Sequence, residues 1–285
     1  MTEHYYELAG IVYRFLVPKD CVWDSVRTLQ GYIVTPGHWD IECILTIPQE
    51  LSPPEGVHCF GSHALQVFQT SDQELCYYGS AYPTLEGAYL RIKQQGPCCQ
   101  IQLKASAIPK GITDNVILTC MQAVQRITEA GGFLLHASWI RYADRAILFT
   151  GPSGIGKSTQ AALWVKHRGA ELINGDRAAV FPTATGAQVR GIPYCGSSGV
   201  NKNQTMSLAA IVSLSQASEN SITPLTGAKA FRQLWEGCSI NLWNQDAIDQ
   251  ATQAVANTVS AVPVFHLACT PDERAVQILE REGIF

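Results

Sequence analysis

The chain has 285 residues and is 46% hydrophobic, which is enough for one large or two ordinary globular domains. Its net charge of -4, without a basic cluster, argues against nucleic acid as a principal partner, because that role needs many Lys and Arg side chains on one face. The sequence has no apolar tract of about 20 residues, and its acidic first ten residues do not resemble a signal peptide, so we expect a cytoplasmic protein without a membrane partner.

Strand patterns dominate the first hundred residues. Residues 5–17 are rich in Tyr, Ile, Val and Phe and contain a break at Gly10, which predicts a strand or hairpin. Further short strands are predicted at 63–70, 74–78, 88–92 and 98–103. Their spacing predicts a small, mostly β domain over residues 1–110.

The ten cysteines are scattered singly, apart from the adjacent pair Cys98 and Cys99. They form no C-x-x-C motif, and none lies at zinc-binding spacing from a histidine. In a cytosolic chain such residues are usually small buried apolar side chains, and adjacent cysteines on a strand point to opposite faces. We therefore favour buried thiols over a metal site.

A change of pattern near Pro109 marks the predicted domain boundary. Apolar residues recur at three- and four-residue intervals over 112–130, Thr113 can cap the start, and Gly131 follows the end. These features predict an amphipathic helix. The second domain is therefore expected to span residues 111–285.

A predicted hairpin comes next, and its second strand leads into the most specific motif of the chain. The first strand, FLLHASWI (133–140), carries His136, and the second, AILFT, covers 146–150. In the commoner nucleotide-binding folds, the corresponding loop instead follows the first strand of an alternating β-α run. The hairpin therefore indicates a less common sheet order.

The segment GPSGIGKST (151–159) fits the pattern G-x-x-x-x-G-K-[ST] at every specified position, and a predicted helix (160–167) follows it. Glycines in such a loop let backbone N–H groups surround phosphate oxygens, and the start of the helix adds its positive dipole end. Lys157 is expected to reach the outer phosphates, and Ser158 to offer its hydroxyl to Mg²⁺. The predicted nucleotide-binding residues are Gly151, Ser153, Gly154, Ile155, Gly156, Lys157, Ser158 and Thr159. The alternative is a glycine-rich turn that binds nothing.

Asp176 is the next candidate, because it follows a predicted strand at 170–174. A carboxylate at the end of a strand beside the phosphate-binding strand is where a second magnesium contact is expected, although Gly-Asp-Arg is also an ordinary turn. The Gly-, Pro- and Ser-rich residues 191–199 predict a loop that can carry ligand contacts. The other predicted elements are a hairpin (178–181 and 188–189), strands at 208–214 and 264–268, and helices at 227–234, 246–259 and 272–282, the last capped by Thr270.

The order of these motifs resembles the HPr kinase/phosphorylase family, and more closely the HPr-kinase-related proteins of the phosphoenolpyruvate-carboxykinase-like type. The matching residues are HAS at 136–138, GPSGIGKST at 151–159 and GDR at 175–177. The resemblance covers about residues 112–285; for residues 1–110 it rests only on a small domain coming first. It implies an α/β fold, with an HPr-kinase/PEP-carboxykinase-like mixed β-sheet P-loop domain after a smaller, mostly β amino-terminal domain.

The resemblance also implies an ATP- and Mg²⁺-dependent kinase that transfers a γ-phosphoryl group to a hydroxyl, on a serine of a small protein or peptide or on a small metabolite. In this interpretation Lys157 holds the phosphates, Ser158 and Asp176 share the Mg²⁺, and His136 lies near the transferred group. The competing interpretation of His136 is a core histidine bonded to backbone. HPr kinases also suggest a ring of identical subunits, although no sequence pattern here predicts a homo-oligomer.

The chain departs from the family at Gly175, where HPr kinases have the first of two acidic residues. Only Asp176 remains, and no signature for binding HPr is evident around residues 190–199. A second hypothesis is therefore a catalytically weakened nucleotide-binding module with a regulatory or peptide-binding role. A carboxykinase acting on oxaloacetate is disfavoured, because its additional basic and metal-binding residues have no match here.

Overall fold

The structure, a computed structural model, describes residues 1–21, 27–61, 65–72, 75–79, 90–106 and 118–283. The chain is a mixed α/β protein with two compact units, Met1–Ala123 and Val124–Phe285. The predicted boundary between residues 110 and 111 lies outside the described residues, as does the start of the helix predicted at 112–130. Of that helix, residues 118–120 are helical, and a turn containing Gln122, whose φ is 49°, separates them from α1 (Ala123–Glu129).

The first unit contains an eight-stranded mixed sheet. Its strands are β1 (Thr2–Leu8), β2 (Ile11–Val17), β3 (Ile41–Thr46), β4 (Val57–Gly61), β5 (Leu65–Gln69), β6 (Leu75–Gly79), β7 (Leu90–Gln95) and β8 (Cys98–Leu103). The strand order is β1-β2-β3-β8-β7-β6-β5-β4, in which β3 runs parallel to both β2 and β8. Alternate residues of β3 are buried, as expected for strands with one face on a core.

In its described residues, the second unit contains nine strands and the four α-helices that follow α1. Its strands are β9 (Phe133–Tyr142), β10 (Arg145–Thr150), β11 (Glu171–Asn174), β12 (Arg177–Thr183), β13 (Gly186–Arg190), β14 (Thr205–Gln216), β15 (Ser221–Leu225), β16 (Cys238–Ser239) and β17 (Val264–Cys269). Its helices are α2 (Lys157–Arg168), α3 (Gly227–Trp235), α4 (Gln245–Ala261) and α5 (Glu273–Glu280).

Five of these strands close into a circuit. Strand β10 pairs with β9, β9 with β12, β12 with β13, β13 with β14, and β14 again with β10. The long strand β9 makes this possible, because Phe133–His136 pair with β12, whereas Ala137–Tyr142 pair with β10. His136 therefore lies opposite Arg177 at the start of β12 and next to Ala137, which pairs with the last residue of the strand that leads into the 151–159 loop.

Helices cover the strands on two sides, and each side has its own apolar cluster. One cluster packs α3 and α4 against the sheet, and the other packs α2 and α5. Strand β10 contributes to both, because Leu148 faces the first cluster and Ile147 and Phe149 face the second. Trp139 and Trp164 are fully buried in this core. The strand that carries the 151–159 loop is thus fixed from both faces.

The last helix differs from its predicted start. Its N-cap is Asp272, whose carboxylate accepts a hydrogen bond from the Arg274 backbone N–H, whereas Thr270 was the predicted cap. Thr270 instead donates its hydroxyl to Asp272.

No helix in the described part of the chain is both long and apolar enough to cross a lipid bilayer.

Candidate functional site

The 151–159 loop has a backbone that requires glycine. Gly151, Gly154 and Gly156 have φ values of 140°, 78° and 117°, a region that other residues rarely adopt. Gly156 is also the N-cap of α2 and provides no side-chain cap. The first backbone N–H groups of an α-helix have no partner within the helix, so this end of α2 can bind an anion.

Lys157 opens α2 and reaches back over the loop. Its Nζ donates hydrogen bonds of 3.0 Å to the backbone carbonyls of both Gly151 and Pro152. Only 7% of the residue is exposed, and this burial lowers the pKa of its ammonium group, with the Asp176 carboxylate opposing the shift. The cation is therefore held at the start of the loop by two neutral carbonyls, and the Asp176 carboxylate acts on it electrostatically.

His136 and Asp176, which the sequence analysis assigned to one site, lie in direct contact. His136 Nε2 lies 3.2 Å from Asp176 Oδ1, and Arg177 Nε lies 3.3 Å from Asp176 Oδ2. Arg177 also donates to the Ser239 hydroxyl at 2.9 Å. Burial lowers the pKa of His136, the cations Arg177 and Lys157 lower it further, and Asp176 opposes them. The imidazole is therefore neutral near neutral pH, and Asp176 accepts from its Nε2–H.

Backbone hydrogen bonds fix His136 and Asp176. The His136 N–H donates to Gly237 O, and the His136 carbonyl accepts from the Thr150 hydroxyl at 2.9 Å. The backbone N–H groups of Asp176 and Arg177 both donate to the Asn174 side-chain oxygen, at 2.9 and 3.0 Å. Asn174 is fully buried, and its amide donates to Ile192 O in the 191–199 loop. The sequence analysis missed Asn174, although Asn before Gly-Asp is a signal for this type of turn.

The 191–199 loop covers Gly175, the position at which the chain departs from the HPr kinases that it resembles. A Cβ added to Gly175 would overlap the Cβ and hydroxyl of Ser198. That hydroxyl donates to Cys195 O at 2.6 Å and accepts from the Val200 N–H at 3.2 Å. A Cβ on Gly196, whose φ is 52°, would lie 3.0 Å from the Asp176 Cβ. The Ser198 side chain thus occupies the space that a carboxylate-bearing residue 175 would need.

Two cavities flank the loop. The first has a volume of about 350 Å³ and joins the start of the loop to the His136–Arg177 region and the end of α3. It is lined by His136, Gly151, Pro152, Ser153, Arg177, Gln233, Glu236, Gly237 and Cys238. The second, of about 400 Å³, lies beside the other half of the loop and is lined by Gly154, Ile155, Gly156, Thr159, Gln160, Gln216, Ala217, Cys269, Thr270 and Pro271.

Some of the predicted site residues lie near the first cavity, and others are exposed at the start of α2. His136 lines the first cavity and contacts Asp176 directly, and Lys157 is linked to both residues through its electrostatic effect. Ser158 and Thr159 are exposed on the first turn of α2. The residues Gln233, Glu236 and Cys238 at the end of α3 were not predicted, because a helix end carries no motif that places it at a distant loop. Among the described residues, no three His, Cys, Asp or Glu side chains form a metal-binding group.

Arg190 and Tyr194 flank this region without having been assigned a function. The Arg190 guanidinium lies 4.2 Å from the centre of the Phe181 ring, a cation–π contact that accounts for its position. Burial raises the pKa of Tyr194 to about 12, so its phenol remains protonated near Asp176 and Arg177.

Comparison with known proteins gives one family match. Residues 98–274, more than half of the chain, match the family model described as SynChlorMet cassette protein ScmC. No curated protein matches the chain. Among solved structures, the Hpr(Ser) kinase/phosphatase from Coxiella burnetii is similar, with 14% identity, 53% of this chain and 95% of that chain covered, and a TM-score of 0.32. A TM-score this low establishes neither a common fold nor a common activity, so the resemblance to HPr kinases stays a prediction.

Proposed function

We propose that this chain, which belongs to the SynChlorMet cassette protein ScmC family, is an ATP- and Mg²⁺-dependent kinase that phosphorylates a hydroxyl group. The acceptor is a serine of a small protein or peptide, or a small hydroxyl-bearing metabolite. The observation that carries the proposal is the contact of His136 with Asp176 beside a cavity that also contains the start of the phosphate loop. In this proposal the second unit is a P-loop domain of the HPr-kinase/PEP-carboxykinase-like type.

The loop residues supply the charge neutralisation that phosphoryl transfer requires. Catalysis of this reaction depends almost entirely on positioning and electrostatic stabilisation. An incoming polyphosphate replaces the Gly151 and Pro152 carbonyls as the partner of Lys157 Nζ, which exchanges neutral acceptors for anionic ones. The N–H groups at the start of α2 bind the same phosphates. Lys157 therefore binds the terminal phosphates, and the end of the phosphate chain that it binds lies toward His136.

The donor set fits Mg²⁺ bound mainly through a nucleotide. Mg²⁺ usually takes one or two carboxylates and keeps phosphate oxygens and waters as its other ligands, so a three-residue protein cluster is not required. Ser158, exposed on the first turn of α2, and the one-quarter exposed Asp176 would hold it. Bound there, Mg²⁺ would neutralise charge on the β- and γ-phosphates.

His136 is the proposed general base. Because its Nε2–H donates to Asp176, the neutral ring has its lone pair on Nδ1. As the acceptor oxygen forms its bond to the γ-phosphorus, the O–H bond breaks and Nδ1 takes the proton. The bond from the γ-phosphorus to the bridging oxygen breaks, and ADP leaves. Asp176 stabilises the resulting imidazolium, so a histidine and one carboxylate replace the pair of acids in the resembling family.

The first experiment measures phosphoryl transfer from γ-labelled ATP with Mg²⁺ to a panel of serine-containing peptides and small alcohols. We expect label on at least one acceptor, and a loss of about 10²–10³-fold in Lys157→Ala, because one preorganised cation at the reacting phosphates is removed. Lys166→Ala is the matched control, since Lys166 is exposed on the same helix. Equal rates for the two variants would refute the assignment of Lys157.

The overlap between a residue 175 side chain and Ser198 favours a second candidate, a nucleotide-binding module without efficient catalysis. The decisive variant is Gly175→Asp combined with Ser198→Gly, since the single substitution has no room. Tight ATP binding without transfer to any acceptor, in both the parent and the double variant, would favour the module. Transfer by the parent protein would eliminate it.

A further inference from the structure

The second cavity beside the phosphate loop has no function in the proposal above. We propose that it binds the nucleoside of the nucleotide, an adenosine, with the Gln160 side chain reading the base; this inference rests on the proposed function. The cavity of about 400 Å³ lies in the size range of pockets that enclose small ligands. Because the loop residues Gly154 and Gly156 and the α2 residue Thr159 line it, it is continuous with the phosphate-binding backbone.

The direction of the phosphate chain follows from Lys157. The lysine of this motif contacts the β- and γ-phosphates, and here its Nζ lies over Gly151 and Pro152, at the first cavity. The γ end therefore lies toward His136. The α-phosphate then lies toward Thr159, and the nucleoside attached to it extends toward the second cavity, which Thr159 lines.

Gln160 provides the second, independent observation. It is only 2% exposed, and it lines the second cavity from the first turn of α2. Its amide Nε2 donates to Cys269 Sγ at 3.1 Å, which leaves Oε1 buried without a hydrogen-bond partner among the described residues. A buried polar atom is rarely left unpaired, and such an atom calls for a specific explanation. A rotation of the Gln160 side chain toward the cavity would bring Oε1 within reach of the exocyclic amine of adenine, a donor that would satisfy it.

The other wall of the cavity comes from the carboxyl ends of two parallel strands. Gln216 and Ala217 follow β14, and Cys269, Thr270 and Pro271 follow β17. Gln216 is exposed and its amide approaches the Gly154 carbonyl at 3.5 Å. Ligands of α/β sheets commonly bind outside the carboxyl ends of the strands. Loop, helix and sheet edge therefore converge on one cavity next to the predicted α-phosphate position.

Equilibrium binding of Mg·ATP, Mg·GTP and magnesium tripolyphosphate to the full chain separates the nucleoside from the phosphates. We expect ATP to bind at least tenfold more tightly than tripolyphosphate and about tenfold more tightly than GTP. Ala217→Trp, which fills the cavity from an exposed position, should remove the advantage of ATP over tripolyphosphate and leave tripolyphosphate binding unchanged. Gln160→Met should weaken ATP binding about three- to tenfold by loss of one hydrogen bond, again without changing tripolyphosphate binding.

The control is Gln253→Met, on the exposed side of α4, which should change none of the three affinities. Unchanged tripolyphosphate binding by Gln160→Met also shows that the variant is folded at the loop. Equal affinity for ATP and tripolyphosphate in the parent protein would overturn the nucleoside site while leaving the phosphate site intact, and equal affinity for ATP and GTP would overturn the assignment of Gln160. If neither ATP nor tripolyphosphate binds, the proposed function fails, and this inference fails with it.

Discussion

The space beside Gly175 leads to a quantitative prediction about a pair of substitutions. A Cβ at this position would overlap Ser198, and the φ of Gly175 is not among the positive values, so Gly175→Ala introduces a steric conflict rather than backbone strain. Overpacking typically costs about 1–3 kcal/mol. Because Ser198 is exposed in the short 3₁₀ turn Gly196–Ser198, the turn can yield, and we expect the lower part of this range, about 1–2 kcal/mol.

The partner substitution, Ser198→Gly, removes both hydrogen bonds of the hydroxyl and adds backbone freedom. An exposed pair of such bonds and an added glycine should together cost about 1–2 kcal/mol. In the double variant Gly175→Ala/Ser198→Gly the overlap is absent, so only the second cost remains. We therefore expect a coupling free energy of about 1–2 kcal/mol between the two positions.

Urea unfolding of the parent, the two single variants and the double variant measures this coupling as a double-mutant cycle. Gly37→Ala is the control, because a Cβ there meets no described atom within 4 Å and no positive φ opposes it; its effect should lie within about 0.5 kcal/mol. Additive effects at positions 175 and 198, within about 0.5 kcal/mol, would refute the argument that Ser198 fills the space beside Gly175.

Two further predictions concern the pH dependence of the site and the packing of α2. Because the pKa of His136 is lowered, phosphoryl transfer should increase as pH rises through a value below the ordinary histidine pKa of about 6.5. For the same reason, His136 should stabilise the fold above about pH 6.5 and lose this contribution as pH falls through its folded-state pKa. The pH–rate profiles of the parent and His136→Gln test the first point, and an unchanged profile in the variant would contradict it. Arg168 on α2 contacts both Glu273 and Glu280 on α5, at 2.9 and 2.6 Å, so Arg168→Met should lower the urea midpoint of unfolding. Arg274→Met, which breaks a single exposed pair, should lower it less, and equal effects of the two substitutions would contradict a stabilising role of the Arg168 pairs.

The regular elements of the second unit could be predicted because their sequence patterns are local. The loop 151–159, its flanking strand and helix, and the buried strand within β14 each have a hydrophobic period or a glycine pattern that is complete within about a dozen residues. Strands β3 and β4 of the first unit and β15 and β16 of the second were missed. In β3 the buried residues Ile41, Cys43 and Leu45 alternate with Glu42 and Ile44, and a flanking loop signal outweighed this short run.

The candidate site could be predicted only as a set of residue types. The motifs indicated His136, Lys157 and Asp176, but the contact of His136 with Asp176 depends on the register in which β11 and β12 pair with β9, which places Arg177 opposite His136. This register arises from pairing between strands that are distant in sequence and has no local sequence signal. The same holds for Glu236, because its place on the cavity depends on how α3 packs against the sheet.

In the proposed kinase reaction, the charges around His136 would let one histidine both accept a proton and hold it. Before the reaction, Arg177 and Lys157 disfavour the imidazolium and keep the ring ready to act as a base. In that reaction a bound polyphosphate would pair the Lys157 ammonium with anionic oxygens, which would weaken this opposition as the acceptor hydroxyl loses its proton. Asp176 lies 3.2 Å from Nε2 in the structure, so the partner that would stabilise the proposed imidazolium is already in place. A second carboxylate at position 175 would add to the anionic charge near Arg177 without being needed for this exchange, which is consistent with Ser198 occupying its space.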